Sequence, residues 1–152
     1  MAVDILQSSR RLLEEAFGKG NLDVLDEICD PSFRAHDPFT GDSDLSAEKE
    51  LCRSYRSAFP DLRPTILAAV RDGDTCVVHW RMTGTHQKEF MGLPPMGARC
   101  TVEGITIDRY RGGRIAESWT QWDALGLMRQ LGIQLPLGAA SAVAAARQQT
   151  QV

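Results

Sequence analysis

TCVVHWRMTGTHQKEFMGLPPMGARCTVEGITIDRYRGGRIAESWTQW, residues 75–122, decides the fold. Thr75 to Thr85 alternates through Val78, Trp80 and Met82, the period of a strand with one covered face. Ala98 to Tyr110 is a second long alternating run. Gly112-Gly113 turns it back into a third, Ile115 to Trp122. Upstream, Leu62 to Val70 adds another strand, closed by the turn Asp72-Gly73. These hairpin-linked strands make an antiparallel sheet.

Before the sheet the period changes to that of helices. Asp4 to Phe17 carries Ile5, Leu12, Leu13, Ala16 and Phe17 on one stripe, and Gly18-Lys19-Gly20 stops it. Asn21 is placed to cap a second helix bearing Leu22, Leu25 and Ile28, which Asp30-Pro31 ends. Phe33 to His36 reads as a short strand broken at Pro38, and Thr40 to Asp44 as a polar loop. Ser46 is placed to cap a third helix, with Leu51, Tyr55, Ala58 and Phe59 inward and Pro60-Asp61 at its end. Ala124 to Leu131 forms the last helix. Helices first and hairpins afterwards define an α+β chain, a curved antiparallel sheet covered on one face by helices. Such a layout leaves a conical cavity between its layers. One domain over 4–132 is expected, followed by an Ala/Gln-rich tail over 133–152.

Composition narrows the function. The 152 residues include 43% hydrophobic and 24% charged side chains, globular rather than disordered proportions. A net charge of −3 argues against a nucleic-acid or polybasic membrane binder. No apolar run reaches the ~18 residues of a membrane span. The N-terminal segment lacks the apolar core of a signal peptide, so a cytoplasmic protein is expected. Cys29, Cys52, Cys76 and Cys100 are evenly spread without a CxxC pair and read as buried thiols. No GxGxxG, Walker loop or HExxH is present, and three scattered histidines do not make a metal site. No cofactor is expected.

The candidate site follows from strand parity. With Gly112-Gly113-Arg114 as a three-residue turn, Arg111 opposes Ile115 and Thr106 opposes Thr120. Gly104, Thr106, Asp108, Ser118, Thr120 and Trp122 then share the cavity face. Ile105, Ile107 and Trp119 share the outer face, with Arg109 opposite Glu117. Nothing obvious in the chain covers that outer face, so a homodimer through it is expected. His36, Asp108 and Asp123 are the catalytic candidates. His36 is either a base or donor at the wall or a loop histidine bonded to Asp37. Asp108 is a rim carboxylate or a solvated one. Asp123 is a catalytic carboxylate or a helix N-cap. Trp80, Met82 and Trp122 suit a flat polycyclic ligand or a plain core. His86 points inward or braces the following loop. Met91 and Met96 mark residues 87–97 as a candidate lid, and Tyr55 is placed to present its hydroxyl to the cavity. Asp42-Ser43-Asp44 and Glu48-Lys49-Glu50 read as exposed faces.

Gly84-Thr85-His86, Phe90, Gly92-Leu93-Pro94-Pro95 and Gly97 together resemble a signature of the SnoaL-like polyketide cyclase family. That family belongs to the nuclear-transport-factor-like α+β barrel superfamily. Asp108-Arg109-Tyr110, Arg114-Ile115, Glu117, Trp119, Asp123, Leu125-Gly126-Leu127 and Gln130-Leu131-Gly132 fit the same pattern. So do Ala35-His36-Asp37-Pro38 and Phe59-Pro60-Asp61-Leu62. The resemblance spans roughly residues 5–132. It implies a cofactor-independent tailoring enzyme for a hydrophobic, polycyclic, anthracycline-type polyketide, acting by general acid–base chemistry. Aldol cyclases of the family carry an Asp three residues before the Asp of their D-x-L-G motif, and a His on the preceding strand. Here those positions are Thr120 and Thr106. The departure keeps three alternatives open: a hydroxylase, an epoxide-opening enzyme using Arg81 or Arg109 with Asp108, and a non-catalytic binding module.

Overall fold

The structure, a computed structural model, describes residues 4–134. The tail expectation therefore lies, from residue 135 onward, outside the described residues. The elements are α1 (Ile5–Arg11), which continues as a wider π turn (Leu12–Phe17), then α2 (Asp23–Ile28), β1 (Cys29–Asp37), β2 (Gly41–Asp44) and α3 (Leu45–Ala58). After them come β3 (Arg63–Asp72), β4 (Thr75–Thr85), β5 (Arg99–Arg111), β6 (Arg114–Trp122) and α4 (Ala124–Gln130). The six strands form one strongly curved but open sheet, ordered β2-β1-β6-β5-β4-β3. The α+β class read from the sequence is the one observed.

Four local expectations are corrected. The second helix is capped at Leu22 without a side-chain bond, because the Asn21 backbone N–H and side chain are spent on Glu15. The first strand starts earlier, at Cys29, and runs through Pro31. Its register slips between Cys29 and Arg34, where Pro31 has no N–H to give. The Asp30 carboxylate there takes both the N–H and the hydroxyl of Ser32, at 2.8 and 2.6 Å. The polar stretch before α3 is no loop from Gly41 onward; it pairs with β1 as an edge strand. Asp44, not Ser46, caps α3, its carboxylate accepting the Ala47 N–H at 2.9 Å.

The sheet is also mixed, since β1 runs parallel to β6. This non-local pairing brings Ala35 beside Ser118. The β5–β6 turn has two residues rather than three, with Arg111 opposite Arg114. Gly112 and Gly113 have φ of +57° and +77°, as a right-twisting two-residue hairpin requires. A bulge at Ala116 then restores the register, so Thr106 still faces Thr120 and Arg109 still faces Glu117. The expected division of faces holds for that reason.

Asp123 ends β6 and caps α4, accepting the Gly126 N–H at 2.8 Å. A side chain at 126 would sit on that carboxylate, so the cap needs glycine there. Asp123→Ala is expected to cost about 1 kcal/mol of stability, measured by denaturant unfolding.

Candidate functional site

Helices and sheet do not meet in a solid core. Between them lies a chamber of about 100 Å³, open to solvent at its mouth. The π turn widens the first helix so that Leu12, Leu13 and Phe17 all reach the chamber. Phe33 and Ala35 of β1, Trp80 and Met82 of β4, and Trp122 of β6 line the opposite wall. The lining is overwhelmingly apolar.

A few polar groups interrupt it. The Trp80 indole N–H donates to Thr106 Oγ1 at 3.0 Å, and that hydroxyl bonds Thr120 Oγ1 at 3.0 Å. Asp37 takes the Trp122 indole N–H at 2.9 Å with one oxygen. Its other oxygen takes the Phe39 and Thr40 backbone N–H groups at 2.7 and 2.9 Å. Tyr55 stands in an aromatic cage, its ring 5.1 Å from Phe90, 6.3 Å from Phe17 and 6.4 Å from Trp122. Burial pushes its phenol well above the ordinary tyrosine range.

Glu48 is the outstanding member of this wall. Its side chain lies on the chamber face of α3, only 9% exposed, with one hydrogen bond, from Ser43 Oγ at 3.2 Å. Burial, opposed in part by that bond, pushes its carboxyl up to about 7, and the charge of Asp37 adds to the shift. The sequence reading that placed Glu48 on an exposed face is thus corrected. The signal was present: Glu48 precedes Cys52 by one helical turn and Tyr55 by two, the stripe already assigned inward. Asp37, read only as a partner for His36, is the second polar group missed.

The expected site residues separate into two groups. Tyr55, Trp80, Met82, Thr106, Thr120 and Trp122 all line the chamber. His36 borders it, yet its ring faces the outer side of the sheet, stacked on Trp119 at 5.4 Å. Both ring nitrogens donate to carboxylates, Nδ1 to Asp42 and Nε2 to Glu117, each at 2.8 Å. These bonds, Glu117 first and then Asp42, raise the pKa of His36 and hold the ring as imidazolium. A ring so engaged is a clamp between β1, β2 and β6 rather than a free base.

The remaining candidates lie off the wall. Asp123 is the α4 cap and Asp108 sits one layer behind, against Ser118. His86 is wholly buried under the 87–97 loop: its Nδ1 accepts the Met96 N–H at 3.3 Å and its ring packs on Phe59. It braces the loop. Phe90, not the methionines, is the loop's buried anchor, while Met91 and Met96 are 48% and 55% exposed. Met91 and Met96 therefore do not line the chamber as it stands. The arginines proposed for Asp108 are occupied outside: Arg81 pairs with Glu103 at 2.7 Å, and Arg109 lies over Trp119 at 4.9 Å. Trp119 is thus sandwiched by His36 and Arg109, which covers part of the outer face expected to be bare. All four cysteines are buried free thiols.

Among the described residues, no helix is long and apolar enough to cross a membrane. The model of the SnoaL-like polyketide cyclase family matches residues 7–131. No curated protein matches this chain. Among solved structures, IdmH of Streptomyces antibioticus, a proposed polyketide cyclase, is 32% identical, with 84% of this chain and 99% of that one covered and a TM-score of 0.71. A proposed polyketide cyclase of Acidithiobacillus ferrooxidans is 30% identical, covering 83% of this chain and 92% of that one, TM-score 0.74. AclR of Streptomyces galilaeus, a proposed hydroxylase, shares the fold at 24% identity, with 95% and 96% covered and a TM-score of 0.75. With the signature residues, the chamber and these matches in agreement, the chain belongs to the SnoaL-like polyketide cyclase family.

Proposed function

We propose that this protein closes a ring in a polyketide intermediate by acid–base chemistry, with Glu48 as the base and no bound cofactor. The observation that carries the reading is a carboxyl on an apolar chamber wall, poised near neutral pH. A general base works best when its pKa lies near the operating pH. The carboxylate of Glu48 takes a proton from a carbon flanked by carbonyls. The resulting enolate attacks a second carbonyl of the same chain, held near by the chamber. The hydroxyls of Tyr55 and Thr120 are the donors placed to meet oxygens of the substrate. Trp80, Met82 and Trp122 supply the flat apolar walls that an anthracycline-type skeleton fits.

This assignment moves the base from β6, where aldol cyclases of this kind are expected to carry Asp and this chain has Thr120, to α3. The ionisable wall favours catalysis over simple ligand binding. Hydroxylation on the same scaffold is the second reading, favoured by the hydroxyls at 106 and 120 and by the likeness to AclR. Incubating chelator-treated protein with poly-β-ketone intermediates and weighing the products separates the two. Ring closure retains the elements of the substrate, or loses only water. Hydroxylation adds one oxygen, and that outcome overturns the proposal.

We also propose that the protein works as a cytoplasmic homodimer through the outer sheet face. Val70, Val77, Ile107 and Trp119 are in register across β3, β4, β5 and β6 and form an apolar ladder. Val70 and Ile107 are exposed. The ladder is flanked by His79 and Ile105, with Arg81 and Glu103 beyond them, on one side and by Arg109 and Glu117 on the other. Mixed charges beside an apolar stripe suit a two-fold contact. Light scattering is expected to give twice the chain mass, and Ile107→Lys to give the monomer.

A further inference from the structure

Behind the chamber wall runs a line of oxygen atoms whose protons can be counted. Ser118 Oγ, on the wall, lies 2.5 Å from Asp108 Oδ1. Asp108 Oδ2 lies 2.6 Å from Ser9 Oγ. Ser9 Oγ lies 2.8 Å from the Tyr110 hydroxyl, which lies 2.8 Å from the Ile5 carbonyl oxygen. Each close oxygen pair needs one proton between its members. Four pairs need four protons, and the hydroxyls of Ser118, Ser9 and Tyr110 supply three. The fourth belongs to the carboxyl. Asp108 is thus a neutral acid: it donates to Ser9, Ser9 to Tyr110, and Tyr110 to Ile5, while Ser118 donates to its second oxygen.

The surroundings agree. Asp108 is 2% exposed, and burial raises its pKa against the lowering effect of the two serines. The titratable groups that feel its charge are Cys29, Cys76, Tyr110 and Glu48, none of them cationic. Among the described residues no ion pair includes it.

We propose that Asp108 is the proton store of this site and Ser118 its outlet, a donor that delivers a proton to an oxyanion formed in the chamber. The line is reversible. When an oxyanion approaches Ser118, that hydroxyl gives its proton to it and takes the Asp108 proton, the carboxyl turning about its Cβ–Cγ bond to present its hydroxyl to Ser118. Ser9 then donates to the Asp108 carboxylate and Tyr110 to Ser9. The proposal rests on the ring-closure reading for its place in the reaction. There Glu48 gains the carbon-bound proton, the new alkoxide gains the Asp108 proton, and the two carboxyls re-equilibrate through solvent when product leaves. Substrate atoms are conserved throughout. Ser118 is the residue that touches substrate; Asp108 and Ser9 act through it.

The test needs no turnover, so it stands or falls separately from the role of Glu48. Infrared spectra at pH 7 of the full chain carrying Glu48→Gln, which removes the other chamber carboxyl, are expected to show a protonated carboxyl band that vanishes when Asp108→Asn is added. That variant is expected to fold with a nearly unchanged melting temperature, since an amide donates to Ser9 and accepts from Ser118 as the neutral acid does. Adding 4-nitrophenolate as the oxyanion probe should bleach its visible absorbance on binding and remove the Asp108 band in equal measure. Ser118→Ala should abolish both changes, and Ser118→Thr should restore them. Absence of the band in the Glu48→Gln protein at pH 7, or a band that the probe leaves untouched, overturns the proposal.

Discussion

Glu48→Gln is expected to be more stable than the wild type at pH 8 and close to inactive. The two effects have one cause. A carboxyl whose pKa rises from 4.5 to about 7 on folding binds its proton more tightly folded than unfolded. Stability then falls as pH rises through that window, because the unfolded chain has already ionised while the folded one resists. Below about 4.5 there is no penalty, and above about 7 the penalty is complete, on the order of 3 kcal/mol. Glutamine keeps the shape and the acceptor for Ser43 but never ionises, so the variant escapes the penalty. Thermal melts should show the two proteins together at pH 4 and the variant several degrees higher at pH 8. Turnover should fall by about 10²–10⁴, the ordinary worth of a positioned general base. In the wild type, kcat/KM should rise with pH through an apparent pKa near 7. A variant less stable than the wild type at pH 8 would mean that the fold favours the ionised carboxylate.

The second large effect is expected at Gly104. β5 passes here beneath both chamber tryptophans, and an added Cβ would lie 2.6 Å from Trp80 Cη2 and 2.7 Å from Trp122 Cβ. Neither neighbour can give way freely. Trp80 is tied to Thr106 through its indole N–H, and Trp122 is tied to Asp37. Gly104→Ala should therefore push an indole into the chamber and release one of these bonds. Overpacking of this kind costs about 1–3 kcal/mol. Urea unfolding should register that loss, and binding of a flat aromatic probe, followed by tryptophan fluorescence, should weaken at least tenfold. An unchanged affinity would show that the two indoles do not shape the ligand-binding wall.

How much of this was legible in the residues differs by element. β4 is visible because Val78, Trp80 and Met82 alternate with exposed positions, and a strand covered on one face needs no more. The inward set Thr106, Thr120 and Trp122 is also right, though a bulge at Ala116 and a shorter turn offset each other in producing it. β2 is illegible because Gly41-Asp42-Ser43-Asp44 is an exposed edge, where polar residues protect against further pairing. The parallel contact of β1 with β6 joins segments some eighty residues apart, and no local period encodes it.

The catalytic assignment was the harder part for a similar reason. His36 and Asp123 are residue types that chemistry uses, but local partners claim them first, two carboxylates for the one and a helix end for the other. Asp108 has the expected parity, yet only the packing of Ser9 against it reveals a buried acid instead of a rim carboxylate. Glu48 was masked by its neighbours, since Glu-Lys-Glu reads as a solvated face until the helical stripe through Tyr55 is followed back two turns. Burial, not residue type, separates the groups that can do acid–base work here from those that hold the fold.

The most direct test of the account is the titration of the Glu48 side chain itself. Carboxyl carbon shifts of protein labelled selectively at glutamate, assigned by the signal missing in Glu48→Gln, report its protonation with no substrate present. The account predicts a Glu48 signal that titrates near 7. A Glu48 signal that titrates near its ordinary value of 4.5 would remove the base from the chamber wall and contradict the account.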